Sequence, residues 1–293
     1  MTDVLRTPDD AFEDLPDFPF TPRWFDWNGI RLHHVVEGDG PPVVLFHGEP
    51  TWSFLYRKVA AELLDAGYSV IAADSPGFGR SDKPTDPDFY TYDRHTDALA
   101  SLLDHLGVTG AVAVVQDWGG PIGLRIAVER PGVFDRLVVM NTGIATGAPV
   151  TPGFAAWRQF VEETPDLPIG RILRGAAATD WPDEVLAAYE APFPTPDHKV
   201  GAHRFPLIVP LAEGDPGMAA MRRVMAALEA WERPTQVLFG TLDPIFPVRV
   251  GERWAERIPG ATGLETVEGA GHFLQEDRGH EVGRAIAAFL DRT

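Results

Sequence analysis

The chain has 293 residues, of which 44% are hydrophobic and 23% are charged, and this composition excludes wholesale disorder. Its 43 acidic and 25 basic residues give a formal charge of −18, which argues against nucleic acid and anionic membranes as partners because both would be repelled. No cysteine is present, which excludes disulfides, thiolate zinc sites and cysteine nucleophiles. The N-terminus lacks a basic segment followed by an apolar run, and no stretch approaches the roughly 18 apolar residues of a membrane span. We therefore expect a cytoplasmic protein.

Short apolar runs alternate with helical patterns along the first half of the chain and again near its end. Five runs rich in Val, Ile and Leu predict strands buried on both faces of a parallel sheet, namely 42–47, 69–74, 111–116, 136–141 and 235–240. Apolar side chains at spacings of three and four predict helices at 53–66 and 91–106. Residues 31–36 are typical of an antiparallel edge, and the first 20 residues form an arm with little core signal. This order predicts an α/β fold with a mostly parallel central sheet flanked by helices.

The alternation stops near Asn141 and resumes near Pro234. The segment between them is rich in Pro, Ala and aromatic residues. It contains helix-like pieces but no buried strand-like run, and these pieces are 153–163, 182–189 and 216–232. We therefore predict a helical cap over residues 142–230 that closes over the C-terminal edge of the sheet. The cap would divide the core into a first part, 1–141, and a second part, 231–293.

The most informative segment is 114–123, where a buried strand runs into small residues and then a helix. This is the setting of a nucleophile elbow, a tight turn that raises one side chain above the C-terminal edge of the sheet. The residue at the tip is Asp117 rather than Ser, and Gly119 and Gly120 keep the far side of the turn open. Asp is also a common cap for a helix, here one that starts at Trp118, so this segment alone leaves both interpretations open.

Two further regions favour the nucleophile. Residues 47–52 follow the first buried run, where an oxyanion-hole loop would lie. His272 lies in a glycine-rich loop after the run 264–267, and Asp243 follows the fifth buried run. Alone, these residues are as typical of a Gly-Pro turn, an idle surface histidine and an Asp-Pro turn. Together they give the chain order nucleophile, acid, histidine at the ends of strands, which predicts a catalytic triad of Asp117, Asp243 and His272.

Four runs carry a resemblance to a known family, and they are HGEPTWSFLYRKV (47–59), DSPGFGRSDKP (74–84), VVQDWGGPIGL (114–124) and GHFLQED (271–277). In these runs the sequence resembles the haloalkane dehalogenases of the α/β-hydrolase superfamily. The subgroup with Glu after His-Gly and the acid after the late strand is the most similar. The resemblance covers about residues 25–290 and reaches the predicted cap at 153–157 and 189–194. It implies the α/β-hydrolase fold and the hydrolysis of carbon–halogen bonds.

The resemblance implies a reaction in two steps, because an Asp nucleophile is already ionised at neutral pH and needs no base. Asp117 would attack an sp3 carbon to form a covalent alkyl ester. His272 would then take a proton from the water that attacks the ester, while Asp243 orients the imidazole. The products would be a primary alcohol, halide and a proton, with no metal or organic cofactor. We expect a small neutral halogenated aliphatic substrate, no nucleic-acid or membrane partner, a role in detoxification and a monomeric chain.

Halide release also needs hydrogen-bond donors, and an indole N–H suits this role because it is a donor only. Trp118 follows the nucleophile directly, and by the resemblance Trp157 from the cap supplies the second donor. The oxyanion hole would consist of the backbone N–H groups of Glu49 and Trp118, with the Glu49 side chain pointing away from the nucleophile. Apolar cap residues are candidates for the substrate pocket, and they are Phe154, Phe160, Phe193, Phe205 and Leu207.

Two alternatives share this fold. Epoxide hydrolases, a sister family with the same nucleophile, use cap tyrosines to protonate the leaving alkoxide. The predicted cap contains only Tyr189, which favours dehalogenation. An inactive small-ligand receptor is disfavoured because binding alone does not require the ordered set of Asp117, Asp243 and His272. Asn141 stands where related dehalogenase subgroups carry the acid, and as an amide it cannot take that role, which favours Asp243.

Overall fold

Two β-sheets are present in the computed structural model, which describes residues 3–293. In chain order the strands are β1 (Val4–Leu5), β2 (Arg23–Trp27), β3 (Ile30–Glu37), β4 (Pro42–Phe46), β5 (Ser69–Ala73), β6 (Lys83–Pro84), β7 (Ala111–Gln116), β8 (Phe134–Met140), β9 (Thr235–Gly240) and β10 (Ala261–Val267). The large sheet has the order β10-β9-β8-β7-β4-β5-β3-β2, and the small sheet pairs β1 with β6. The strands from β10 to β5 are parallel, while β3 is antiparallel to both β5 and β2.

Helices join the parallel strands and pack against them. In chain order they are α1 (Arg57–Asp65), α2 (Tyr92–His105), α3 (Gly119–Glu129), α4 (Pro152–Glu163), α5 (Ile169–Ala176), α6 (Asp183–Glu190), α7 (Val200–Leu207), α8 (Met218–Leu228), α9 (Val248–Arg257), α10 (Leu274–Asp277) and α11 (Gly279–Leu290). Helices α4 to α8 lie between β8 and β9, and we call residues 142–230 the helical insert. None of the described helices combines the length and the hydropathy that a bilayer crossing demands.

The five predicted buried runs all form strands of the large sheet, and their ends agree with the prediction to within two residues. Every residue of β5, β7 and β9 is buried, as expected for parallel strands covered on both faces. The predicted antiparallel edge is only partly right, because β3 has a further strand, β2, outside it. Strand β2 is mostly solvent-accessible and contains Arg23 and Asp26, so it lacks the continuous apolar run that marks the central strands.

The helical insert contains two helices, α5 and α7, that the sequence did not reveal. Helix α5 contains Gly170 and Gly175, and α7 contains Pro206, residues that each disfavour a helix interior. The pattern over 53–66 also differs in detail, because its first turn, Ser53–Tyr56, is a 3-10 helix ahead of α1. Tertiary packing therefore decides the local structure where intrinsic propensity is weak.

The N-terminal arm contributes to the core more than its sequence indicates. Phe12 and Phe18 are both buried and lie against Trp52, with ring centroids 5.6 and 5.4 Å apart. Arg6 donates two hydrogen bonds to Asp82, which ties the arm to the loop before β6. Phe12 and Phe18 stand apart in the sequence and produce no periodic pattern, and for this reason the sequence of the arm shows little core signal.

Candidate active site

Asp117 occupies the turn between β7 and α3, at the C-terminal edge of the sheet. Its φ of 49° lies in the left-handed region that non-glycine residues rarely adopt. The turn is fastened by the Asp117 carbonyl, which accepts hydrogen bonds from Gly120 N–H and from Thr142 Oγ1 at 2.6 Å. Helix α3 begins at Gly119 without a side-chain cap, so the helix-cap interpretation of Asp117 is wrong. The carboxylate is instead free to face the space above the sheet.

Glycines around the turn allow the backbone to come this close. A Cβ at Gly119 would lie 2.2 Å from the Phe46 carbonyl oxygen, and one at Gly120 would lie 1.9 Å from Thr142 Oγ1. On the opposite side, a Cβ at Gly48 would lie 2.3 Å from Asp117 itself. Any side chain at these positions would push apart the two loops that surround the Asp117 carboxylate.

His272 lies between two carboxylates. Its Nδ1 is 3.0 Å from Asp243 Oδ2, and its Nε2 is 3.6 Å from Asp117 Oδ2. The other oxygen of Asp243 accepts hydrogen bonds from the N–H groups of Ile245 and Phe246, at 2.7 and 3.0 Å. The structure therefore brings together the three residues of the predicted triad, in a buried site.

The electrostatic environment of His272 favours its charged form. Burial alone lowers the pKa of the imidazole, but the charge of Asp243 and the contacts with Asp117 outweigh this effect. Together they raise the pKa of His272 to about 10. The resting site is thus an imidazolium between two carboxylates.

Asn141 and Gln116 hold the His272 loop from the core side. The sequence pattern assigned neither residue a role in the site. The side-chain amide of Asn141 donates hydrogen bonds to the backbone carbonyl oxygens of Gly271 and His272. Its side-chain oxygen, Oδ1, accepts a hydrogen bond from the Gly240 N–H. Gln116 donates to the His272 carbonyl at 3.2 Å. Gln116 is the last residue of β7 and Asn141 directly follows β8, so a polar residue at the end of an apolar run was the available signal. Asn141 does not act as the acid, but it supports the loop that carries the imidazole.

Glu49 contributes a backbone group and a buried side chain. Its N–H donates to Asp117 Oδ1 at 2.8 Å, whereas the Trp118 N–H donates to neither carboxylate oxygen among the described residues. The expectation that the Glu49 side chain points away from the nucleophile stays a prediction. The residue lines the same cavity as Asp117 and His272, and in the described part of the chain its buried Oε1 has no hydrogen-bond partner. Burial, followed by the charge of Asp117, raises the pKa of Glu49 well above its usual range.

A cavity of about 330 Å³ lies between the sheet edge and the helical insert. Asp117, Glu49 and His272 face it from the core, while α4 and α5 form the opposite wall. Trp118 and Trp157 both line this cavity, and neither indole N–H donates to a protein group within residues 3–293. The site therefore combines apolar walls with two unused N–H donors.

The predicted pocket residues divide into two groups. Phe154 and Phe160 line the cavity. The prediction is wrong for Phe193, Phe205 and Leu207, which are absent from its walls and from those of a second cavity of about 190 Å³. Phe205 instead packs in an aromatic cluster, 5.0 Å from the Trp118 ring and 4.5 Å from the His95 ring. Phe205 therefore packs against the Trp118 ring and does not line the cavity.

A family profile described as the α/β-hydrolase fold matches residues 41–279 of the chain. The matched range includes the elbow, the 47–52 loop, Asp243 and His272. Fold and site together thus define the chain as an α/β hydrolase.

Comparison with individual proteins narrows this class. The chain is 44% identical to a haloalkane dehalogenase of Mycolicibacterium paratuberculosis, with 98% of each chain covered. A tetrameric haloalkane dehalogenase of Paraglaciecola agarilytica NO2 has a similar structure, with a TM-score of 0.92, 35% identity and 97% of each chain covered. The cis-3-alkyl-4-alkyloxetan-2-one decarboxylase of Shewanella oneidensis is 31% identical over 94% of this chain and 90% of its own. The chain belongs to the haloalkane dehalogenase family of the α/β-hydrolase superfamily.

Proposed function

We propose that the protein hydrolyses haloalkanes to a primary alcohol, halide and a proton through a covalent ester on Asp117. The observation that carries the proposal is the Asp117 carboxylate at the tip of the elbow, beside His272 and facing the same cavity as two free indole N–H groups. A serine nucleophile would need a base before it could attack, whereas a carboxylate does not. This difference suits the displacement of a halide from a saturated carbon.

In the first step Asp117 Oδ2 attacks the carbon that bears the halogen. The carbon–oxygen bond forms as the carbon–halogen bond breaks, and the halide leaves with the bonding electron pair. Trp118 and Trp157 stabilise the developing anion by donating their indole N–H groups. Asp117 Oδ1 stays bound to the Glu49 N–H and becomes the carbonyl oxygen of the ester.

In the second step His272 Nε2 takes a proton from a water molecule that attacks the ester carbonyl carbon. The negative charge that develops on Oδ1 is stabilised by the N–H of Glu49, and we assign the Trp118 N–H as the second donor. Collapse of this intermediate breaks the bond between the acyl carbon and the alkyl-bearing oxygen. The departing oxygen takes the proton of the hydroxyl group that the water supplied, so the alcohol is released and the Asp117 carboxylate is restored. The net products are one alcohol, one halide and one proton.

Esterification itself prepares His272 to act as a base. In the resting site the carboxylates of Asp243 and Asp117 raise the pKa of His272 to about 10, which keeps it protonated at neutral pH. The ester on Asp117 is neutral, so this part of the stabilisation of the imidazolium disappears when the alkyl group is attached. The pKa of His272 then falls, and the imidazolium releases to solvent the proton that is the net proton of the reaction. The neutral imidazole can then accept a proton from the attacking water, which restores the resting imidazolium.

The helical insert forms the far wall of the cavity, and we propose that residues 142–230 act as a cap domain over the two core parts, 1–141 and 231–293. Two helices of the insert, α4 and α5, supply apolar side chains that keep bulk water from the ester. A small neutral halogenated aliphatic compound fits a cavity of about 330 Å³ with mostly apolar walls.

An epoxide substrate is less well supported by the same cavity. Tyr189, the one tyrosine of the insert, is buried and donates its hydroxyl to Glu276 at 2.8 Å. It is not among the residues that line the cavity. In the described site, no tyrosine is placed to protonate the alkoxide that an opened epoxide would leave.

The test is halide release from a panel of short 1-chloro- and 1-bromoalkanes, with styrene oxide and a cis-3,4-dialkyl-oxetan-2-one as competing substrates. Asp117→Asn is expected to lower turnover by roughly 10⁴-fold or more, since an amide is a poor nucleophile. Asp65→Asn is the matched control, because Asp65 is an exposed carboxylate on α1 and should leave turnover unchanged. Absence of halide release across the panel, or full activity of Asp117→Asn, would refute the proposal.

A further inference from the structure

The one-turn helix α10 follows His272 directly and carries two adjacent carboxylates that face different parts of the molecule. Glu276 faces the core, where it accepts hydrogen bonds from Arg57 Nη2 at 2.8 Å and from Lys58 Nζ at 2.6 Å. It also accepts the hydroxyl of Tyr189 from the helical insert. Glu276 and Arg57 are both buried, and the hydrogen bonds that both Glu276 oxygens accept offset the cost of burying the charges. Helix α10 is therefore fixed firmly to α1.

Asp277, the next residue, faces the helical insert. Its Oδ1 accepts hydrogen bonds from the Thr179 N–H at 3.1 Å, the Thr179 hydroxyl at 2.7 Å and the Trp181 indole at 3.0 Å. Its Oδ2 accepts bonds from the N–H groups of Ala178 at 3.0 Å and Gly271 at 2.8 Å. All five donors are neutral, and Asp277 forms no ion pair among the described residues. The carboxylate thus acts as a clamp between the insert and the residue before His272.

The contact between the two segments continues beyond the carboxylate. The His272 N–H donates to the carbonyl oxygen of Ala176, the last residue of α5, at 3.1 Å. A Cβ at Gly271 would lie 2.6 Å from the same oxygen, so the loops meet without intervening space. Ile172, Gly175 and Ala176 of this helix line the cavity. The segment clamped by Asp277 therefore directly follows the end of α5 that forms the substrate-facing wall.

We propose that Asp277 is a positioning residue that couples α5 to the His272 loop, and thereby sets the position of the imidazole relative to an ester on Asp117. This inference rests on the proposed two-step reaction. Alkylation uses the Asp117 carboxylate, which is held by the elbow and by Glu49, together with the two indole donors, and Asp277 bonds to none of these groups. Ester hydrolysis requires His272 Nε2 within reach of both water and ester carbon. Loss of the clamp affects the second step and leaves the first nearly unchanged.

The experiment measures halide release on the millisecond scale, followed by steady-state turnover, with a reactive 1-bromoalkane. In Asp277→Asn one side-chain oxygen becomes an N–H2 donor that faces N–H groups, so half of the clamp is lost. We expect a full burst of one bromide per site at a rate close to that of the unchanged protein. The steady rate after the burst should fall about 10- to 100-fold, because small displacements of reacting groups lower reaction rates by about this factor. Intact mass should show the alkyl adduct during turnover.

Two further variants protect the test against misfolding and general damage. Trp181→Phe removes one donor to Asp277 but keeps a ring against Phe273, and it should show the same pattern to a smaller extent. Asp183→Asn, an exposed carboxylate on α6, should match the unchanged protein in both phases. Equal losses in burst rate and steady rate, or unchanged steady rates in Asp277→Asn and Trp181→Phe, would overturn the inference alone. If the unchanged protein itself releases no bromide, the proposed function fails instead.

Discussion

The core and the helical insert both line the cavity above Asp117, but they are specified in different ways. On the core side, Asp117, Asp243 and His272 each follow a strand of the parallel sheet, and neighbouring backbone groups fix their orientation. On the insert side, the cavity wall depends on how α4 and α5 pack against the sheet edge. Local backbone geometry therefore sets the chemistry of the site, and helix packing sets its shape. The predictions below separate these two contributions.

Replacement of His272, the proposed base, tests the core side with the largest expected effect. His272→Phe keeps an aromatic ring beside Phe246 and Phe273 but removes the proton acceptor. Asp117 can still be alkylated, whereas the ester is no longer hydrolysed. Intact-mass measurement should show nearly complete alkylation after one bromide is released per site. His280→Phe, at an exposed histidine bonded to Glu62, serves as the control and should turn over normally. Continued turnover by His272→Phe would show that another group acts as the base.

The core was also the part that the sequence predicted best. The buried runs end where the candidate site begins, and the chain order of Asp117, Asp243 and His272 predicts the three residues that the structure brings together. Asn141 and Gln116 were recognisable as polar residues at strand ends, but only the structure connects them to the His272 carbonyl. Their role depends on contacts over more than 100 positions in the chain, and a single sequence carries no signal of such contacts.

The insert was predicted less well, and the reason is physical. A helix presents side chains in all directions, so composition alone does not separate Phe154, which lines the cavity, from Phe205, which packs behind Trp118. Helices α5 and α7 contain glycine or proline and are stabilised by their neighbours rather than by propensity. Asp277 belongs to the run 271–277, yet four of its five donors come from residues 178–181, a segment that only folding brings near.

Trp157 tests the contribution of the helical insert to halide binding, and we expect its replacement to have an effect of intermediate size on turnover. Trp157→Phe removes the donor that the insert contributes and keeps an aromatic ring stacked near Phe160. A hydrogen bond to a charged group contributes about 1.5–3 kcal/mol, so kcat/KM should fall by roughly 10- to 150-fold. Inhibition by added bromide should weaken in parallel, because product halide loses the same donor. Trp231→Phe is the control, at a tryptophan outside both cavities. If bromide inhibition stayed unchanged, Trp157 would have only a packing role.

The smallest effect on turnover is expected at Glu49, where the carboxyl group rather than the backbone is tested. Burial, followed by the charge of Asp117, raises the pKa of this group well above 4.5, which favours the neutral carboxyl. Glu49→Gln should therefore change turnover within about threefold, since the amide is also neutral and keeps the backbone donor.

Stability gives the clearer measurement at this position, and the sign follows from linkage. Because the folded-state pKa of Glu49 exceeds the unfolded value, its contribution to stability is full below pH 4.5 and is lost as the pH rises towards the folded pKa. The free energy of unfolding of the unchanged protein should fall relative to Glu49→Gln by up to about 1.4 kcal/mol per pH unit over this range. Urea unfolding of both proteins at pH 5, 6.5 and 8 measures the difference. If the difference in unfolding free energy between the two proteins did not grow with pH, Glu49 would be ionised in the folded site. A second fixed negative charge would then lie beside Asp117. It would oppose both the departure of halide and the formation of the oxyanion during ester hydrolysis.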